Sequence, residues 1–157
     1  MTIQEARKLF IKHLEDLDRS SSTLIAYDKD IEQLADYMAK LGKTTPQEVS
    51  LEDLQSFMQN FLEKGLTPKT VSRKTNSTKT FFSFLKEKGY IEEDVSDYLK
   101  HPKVETSAPR ILSQMEYRAL RDVARSDTRT YVLLEVFLQT GLSISEVSGM
   151  ELEHLHL

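Results

Sequence analysis

The sequence predicts an all-α protein, built as a four-to-five-helix bundle followed by a linker and a second, shorter run of helices. Three observations point there. Apolar residues recur every three or four positions along almost the whole chain, the spacing that lines one face of an α-helix. Glycine and proline are scarce, with five and four in 157 residues, so long segments run uninterrupted. No alternating apolar–polar run of the kind a half-buried strand needs occurs in the first hundred residues.

The elements follow in order. In the first segment Ile3, Ala6, Phe10, Leu14 and Leu17 share a face, and Thr2 with Glu5 forms a capping box at its start. The second begins after Ser20-Ser21-Ser22 and steps through Leu24, Tyr27, Ile31, Leu34, Met38 and Leu41, with Gly42 as its stop. A third spans about Ser50 to Lys64, with Leu51, Leu54, Phe57, Met58, Phe61 and Leu62 as its apolar face. A fourth opens at Thr67-Pro68, a cap followed by proline at the first helical position, and runs to about Lys88. It is expected to bury Val71, Thr75, Thr78, Phe82 and Leu85. Residues 101–111 lose the apolar period and carry two prolines, which reads as an extended linker. Beyond it Ser113 and Glu116 form another capping box, before a helix carrying Met115, Leu120 and Val123. Ser126 or Asp127 caps the next, whose Tyr131–Leu138 stretch is apolar nearly all round. Such a helix is normally buried on every side. The residues after Gly141 are too few to cover it, so a partner surface or further chain is expected there.

Bulk properties narrow the function classes. Hydrophobic content of 39% and charged content of 29% fit a globular chain. No apolar run approaches the roughly 20 residues of a membrane span, and no secretory signal is visible, so no membrane partner is expected. Cysteine is absent, which removes disulfides, thiolate nucleophiles and zinc–cysteine sites and is compatible with a reducing cytoplasm, the expected location. His154 and His156 with Glu151 and Glu153 lack a convergent further ligand and read as a polar tail, so no metal is expected. No nucleophile–base or phosphate-loop signature occurs, and no cofactor is expected. Asp16, Asp18 and the Glu92-Glu93-Asp94 run read as solvated acidic patches, and the six tyrosines as mostly core or boundary residues. The formal net charge of −4 argues against a nucleic-acid surface spread over the whole chain. Any such surface has to be a local concentration of cations.

The fourth helix offers one. Lys69, Arg73, Asn76, Thr80 and Ser83 step by three or four residues along its polar side, with Thr70, Lys74 and Lys79 beside them. A face mixing cations with amides and hydroxyls contacts phosphates and reaches base edges in a major groove; its plainer reading is a solvated helix face. Ser21, Ser22, Thr23 and Lys29, at the start of the second helix, form a second candidate, although at least one serine of the cluster is expected as an N-cap. Lys103 and Arg110 in the linker are candidates for tracking backbone phosphates.

The stretch Thr140-Gly141-Leu142-Ser143-Ile144-Ser145-Glu146 resembles the Thr-Gly-Leu-Arg-Ile-Ser-Glu motif of the tyrosine recombinases, the family of phage integrases and Xer-type recombinases. Other segments match the family in order. Ser22-Thr23, Tyr27 and Asp30-Ile31 resemble its second helix, and residues 64–73 resemble its turn and fourth helix. Phe81-Phe82-Ser83-Phe84-Leu85 with Gly89-Tyr90-Ile91 resembles the aromatic end of that helix. Pro102-Lys103 resembles the interdomain linker, and residues 111–116 resemble the opening of the catalytic domain. The resemblance implies a SAM-like core-binding domain over residues 1–100, a linker over 101–111, and an incomplete N-terminal part of the catalytic domain over 112–157. It implies double-stranded DNA as partner, with the second and fourth helices against it.

Family members cleave DNA by attack of a tyrosine on a phosphodiester, while arginines stabilise the charge that builds on the phosphoryl oxygens. Ser143 occupies the first arginine's position, and a short neutral hydroxyl cannot replace a planar cationic fork. Glu146 matches the family's acidic position. Ser143 and Glu146 also make a Ser-x-x-Glu capping box for a following helix, a purely structural role. The other family residues belong downstream, and the sequence has neither a His-x-x-Arg nor a tyrosine after Tyr131. No catalytic residue is therefore assigned. The expectation is the DNA-binding portion of a recombinase or integrase, unable to cleave as given. The alternative is a degenerate recombinase-like module that associates with itself or a partner through Tyr131, Leu134, Phe137 and Leu138.

Overall fold

A computed structural model describes residues 1–104, 108, 110–151 and 153. All regular structure among them is helical. The chain divides into two units, Met1–Thr106 and Ser107–Leu157, and the division falls inside the segment expected as a linker.

In the first unit the local signals in the sequence set the helix starts. Helix α1 (Ile3–Asp16) opens at Thr2, whose hydroxyl accepts the Glu5 amide at 3.2 Å while the Glu5 carboxylate accepts the Thr2 amide at 2.7 Å. Helix α2 (Ser21–Lys40) is capped by Ser20, whose Oγ accepts the Thr23 amide at 3.3 Å. Helix α3 (Leu51–Glu63) starts at a Ser50–Asp53 capping box, and α4 (Pro68–Glu87) starts at Thr67 with proline in its first turn. Gly42, Gly65 and Gly89 follow α2, α3 and α4 with φ of +77°, +80° and +72°, the left-handed conformation glycine adopts without a Cβ clash.

The four helices share one core. Phe10, Ile31, Leu34, Met38, Leu54, Val71, Phe81, Phe82 and Leu85 are almost wholly buried, as are Thr75 and Thr78. Phe10 sits at its centre, with its ring 5.8 Å from that of Tyr27 and 5.4 Å from that of Phe81, both edge-on. Leu17 and Leu41 are about half exposed instead of joining the apolar faces of their helices. Both are the residues at which the helix ends, so neither continues the buried stripe.

Two short 3₁₀ turns, Pro46–Glu48 and Val95–Tyr98, have no apolar period to announce them. The second corrects the reading of Glu92-Glu93-Asp94 as a solvated run. Glu92 and Glu93 are exposed, but Asp94 is buried. Its Oδ1 accepts the amide and the hydroxyl of Ser96 at 2.9 and 2.6 Å, which fixes the chain's turn back toward α4. Tyr98, expected near the core, is 64% exposed.

The second unit holds α5 (Gln114–Ala124), α6 (Thr128–Thr140) and α7 (Ile144–Ser148). Capping boxes at Ser113–Glu116 and Ser143–Glu146 start α5 and α7, and Asp127 caps α6. Gly141 ends α6 with φ +68°. Arg121 pairs with Glu135, joining α5 to α6. No residue of α6 is buried: Tyr131, Leu134, Phe137 and Leu138 are half-buried, and Val132 and Leu133 are exposed. The described residues do not supply the cover that this apolar helix calls for.

Candidate nucleic-acid interface

Along α4 the apolar and hydroxyl positions Val71, Thr75, Thr78, Phe82 and Leu85 face the core, so the opposite side is left to solvent. Lys69, Arg73, Asn76, Thr80 and Ser83 are all exposed there and form a continuous stripe. From Lys69 to Thr80 it runs about 17 Å at 1.5 Å per residue.

The three cations beside Lys69 are not equivalent. Lys74 is buried, 7% exposed, and lies inside the α2–α4 contact. Its ammonium donates to Asp30 Oδ1 and Gln33 Oε1, each at 2.7 Å, and lies 4.7 Å from the centroid of the Phe61 ring. It cannot reach a nucleic acid, which corrects its expected place in the interface. The helical wheel placed it one step from the stripe, and the buried acceptor on α2 drew it inward. Arg73 lies at the edge of the stripe, half exposed, with Nη1 and Nη2 donating to the two oxygens of Asp30 at 2.6 and 3.1 Å. Lys79 donates to the carbonyls of Asp97 and Leu99, both at 3.2 Å, and so holds the returning chain against α4.

Asp30 is the hub of this network and was not a sequence candidate. It is 4% exposed and also accepts the Ser77 hydroxyl at 2.7 Å. Burial pushes its carboxyl pKa up, but hydrogen bonds from Arg73, Lys74 and Ser77 outweigh that and hold it below the usual carboxylate value. One anion against two cations leaves the cluster with an excess positive charge, which emerges at the surface through Arg73. The only sequence trace of this arrangement is a charged residue inside the apolar period of the second helix.

The stripe is flanked by two other features of the first unit. On one side lies the start of α2: Arg19, Ser20 and Thr23 line a surface depression together with Thr80. Ser21, Ser22 and Lys29 are exposed, and Thr23 is half-buried with its hydroxyl 2.8 Å from that of Ser20. Arg19 was missed in the sequence because it precedes the helix and belongs to no period. On the other side runs the chain after Tyr98. Its His101 Nδ1 lies 3.1 Å from Ser72 Oγ, and Lys103 and Val104 border a groove with Thr67, Pro68 and Lys69. Lys103 is exposed, whereas the Thr70 hydroxyl pairs with that of Thr67 at 3.0 Å. The N-termini of α2 and α4, each with unpaired amides and a partial positive charge, therefore lie toward opposite ends of one polar stripe.

In the second unit Arg110 is exposed and pairs with Glu116. Ser143 Oγ accepts the Glu146 amide at 3.3 Å and donates to the Glu146 carboxylate at 2.6 Å, so both are engaged in capping α7. Hydrogen bonds from the Ser143 hydroxyl and amide lower the Glu146 pKa. No group of three or more potential ligands for a metal ion occurs among the described residues, and His154 and His156 lie outside them. No helix among the described residues is long and apolar enough to cross a membrane.

Residues 8–89, just over half of the chain, match the family model described as phage integrase, N-terminal SAM-like domain. Among curated relatives, tyrosine recombinase XerC of Roseiflexus sp. (strain RS-1) is 29% identical over 154 residues, covering 94% of this chain and 49% of the relative. XerC of Bacillus subtilis (strain 168) is 28% identical, covering 96% and 51%. XerD of Oceanobacillus iheyensis is 30% identical, covering 88% and 48%. The chain thus spans about half the length of the curated relatives it matches. Two solved structures share the fold. A lambda integrase dimer bound to a COC′ core site has a TM-score of 0.81 at 15% identity, over 100% of this chain and 44% of that one. The Tn1549 transposon integrase in complex with a circular intermediate DNA has a TM-score of 0.78 at 22% identity, over 99% and 50%. The helical bundle, its capped starts and the family match agree, and the chain belongs to the tyrosine recombinase family through the N-terminal SAM-like domain of the phage integrases.

Proposed function

We propose that this chain is the DNA-binding portion of a tyrosine recombinase acting in DNA integration or site-specific recombination. It binds duplex DNA through the exposed stripe of α4 and the start of α2. The observation that carries this reading is the stripe itself. On a chain of net charge −4, Lys69, Arg73, Asn76, Thr80 and Ser83 line one exposed helix face, with the α2 start (Ser21, Ser22, Thr23) and Lys103 beside it and Lys29 exposed further along α2. A major groove about 12 Å wide admits one helix, and helix N-termini are natural partners for the phosphates on either side. The solved relatives named above were captured on a core site and on a circular intermediate DNA, which agrees with a duplex partner here.

Residues 1–100 act as the core-binding domain, 101–111 as the linker and 112–157 as the first part of a catalytic domain. Arg110 belongs to the phosphate-tracking set only if a phosphate displaces Glu116. The chain as given does not cleave DNA, because Ser143 caps α7 where the family motif has its arginine. The exposure of α6 favours a second reading beside the first: Tyr131, Leu134, Phe137 and Leu138 form a contact surface for a second copy of this chain.

The test is a titration of labelled duplex at several salt concentrations. Affinity falls linearly with salt on logarithmic axes, as for any protein that displaces counterions from phosphates. Lys69→Glu weakens binding to all sequences alike and lowers the salt slope by roughly 1. A slope unchanged by Lys69→Glu would remove α4 from the interface.

A further inference from the structure

Several polar side chains on and beside the α4 stripe are already bound to the protein. Arg73 has both terminal nitrogens on Asp30, which ties its guanidinium to the edge of the stripe. Lys74 is buried and Lys79 holds backbone carbonyls. The Thr80 hydroxyl donates to the Asn76 carbonyl at 2.9 Å, leaving it only an acceptor. Lys69 is a flexible point charge in the first turn, suited to a phosphate. Ser83 offers a single hydroxyl.

Asn76 differs from all of these. It is exposed at the middle of the stripe, between Arg73 and Thr80, and its side-chain amide makes no hydrogen bond to any of the described residues. It carries a donor and an acceptor side by side. That pair matches the N6 amino group and N7 of adenine in the major groove and no other base edge equally well.

We propose that Asn76 is the residue through which this chain reads sequence, by a bidentate contact to one adenine. This rests on the duplex-binding reading given above.

The experiment uses the 157-residue chain and a pool of duplexes with randomised base pairs, bound at low salt and sequenced. The wild type enriches adenine at one position. Asn76→Ala loses that preference alone and keeps its melting temperature, since the side chain bonds to none of the described residues. Replacing the selected adenine by 7-deazaadenine, which lacks the N7 acceptor, weakens wild-type binding roughly tenfold and leaves Asn76→Ala unaffected. The proposal is overturned if Asn76→Ala retains the adenine or if the wild type binds duplexes without base preference. A wild-type chain that binds no duplex at low salt would instead overturn the duplex-binding reading beneath it.

Discussion

The two units of this protein use the same devices to start their helices and differ in what they do with the apolar faces. In the first, Thr2, Ser20, Ser50 and Thr67 cap four helices whose apolar residues close over one another around Phe10 and Phe81. In the second, Ser113, Asp127 and Ser143 cap three helices equally well, yet Ala124 is the only hydrophobic residue described there as buried. Ile111, Met115, Val123 and Ile144 are each more than 75% exposed. Capping fixes where a helix begins and contributes about 1 kcal/mol each time. Burial decides whether the helix is held. The first unit has both and the second has only the first.

The largest expected effect sharpens that contrast. Phe81→Ala removes a wholly buried ring and costs about 4 kcal/mol in chemical denaturation. Phe137→Ala, at a half-buried position, costs less than about 1 kcal/mol in the isolated chain. If α6 is a contact surface between copies, sedimentation shows a larger species at high concentration that Phe137→Ala abolishes. Equal losses of stability in the two variants would show that α6 is packed as firmly as the bundle. A wild type that stays monomeric at every concentration would remove self-association.

The next effect concerns what joins α2 to α4. Asp30→Asn leaves Lys74 buried without its counter-charge and costs about 3 kcal/mol. The pH dependence has a definite sign. The Asp30 pKa is lowered in the folded state, so its contribution is present above the unfolded carboxyl value, about 3.9, and is lost as pH falls through the lower folded value. Acid unfolding of the wild type therefore includes a component below about pH 4 that Asp30→Asn lacks. Identical acid limbs for the two proteins would show that the Asp30 network does not stabilise the bundle.

Much of the fold was legible because its signals are local. Thr2 with Glu5, Ser113 with Glu116, and Gly141 each announce a helix boundary within a few residues, and each is realised. The apolar steps through Phe10, Leu34, Leu54 and Phe82 describe the core because a helical period is itself a statement about one face. What was not legible depends on pairs distant in sequence. Asp94 reads as one more acid until its carboxylate closes a turn on Ser96. Lys74 and Arg73 look alike as cations on one helix, and only Asp30, more than forty residues earlier, separates the buried one from the half-exposed one. The candidate interface was thus visible as a stripe of residue types. The division of labour along it, with Arg73 restrained, Lys79 bracing the return chain and Asn76 unengaged, needed the fold.

Site-specific photocross-linking tests the central claim most directly. Asn76→p-benzoylphenylalanine places a probe at the middle of the exposed face of α4, and Gln55→p-benzoylphenylalanine places one on the exposed side of α3. Irradiated with duplex DNA at low salt, the probe at 76 gives a protein–DNA adduct that fades as salt rises, while the probe at 55 gives none. Adducts of equal yield at both positions, or at 55 alone, would contradict the account.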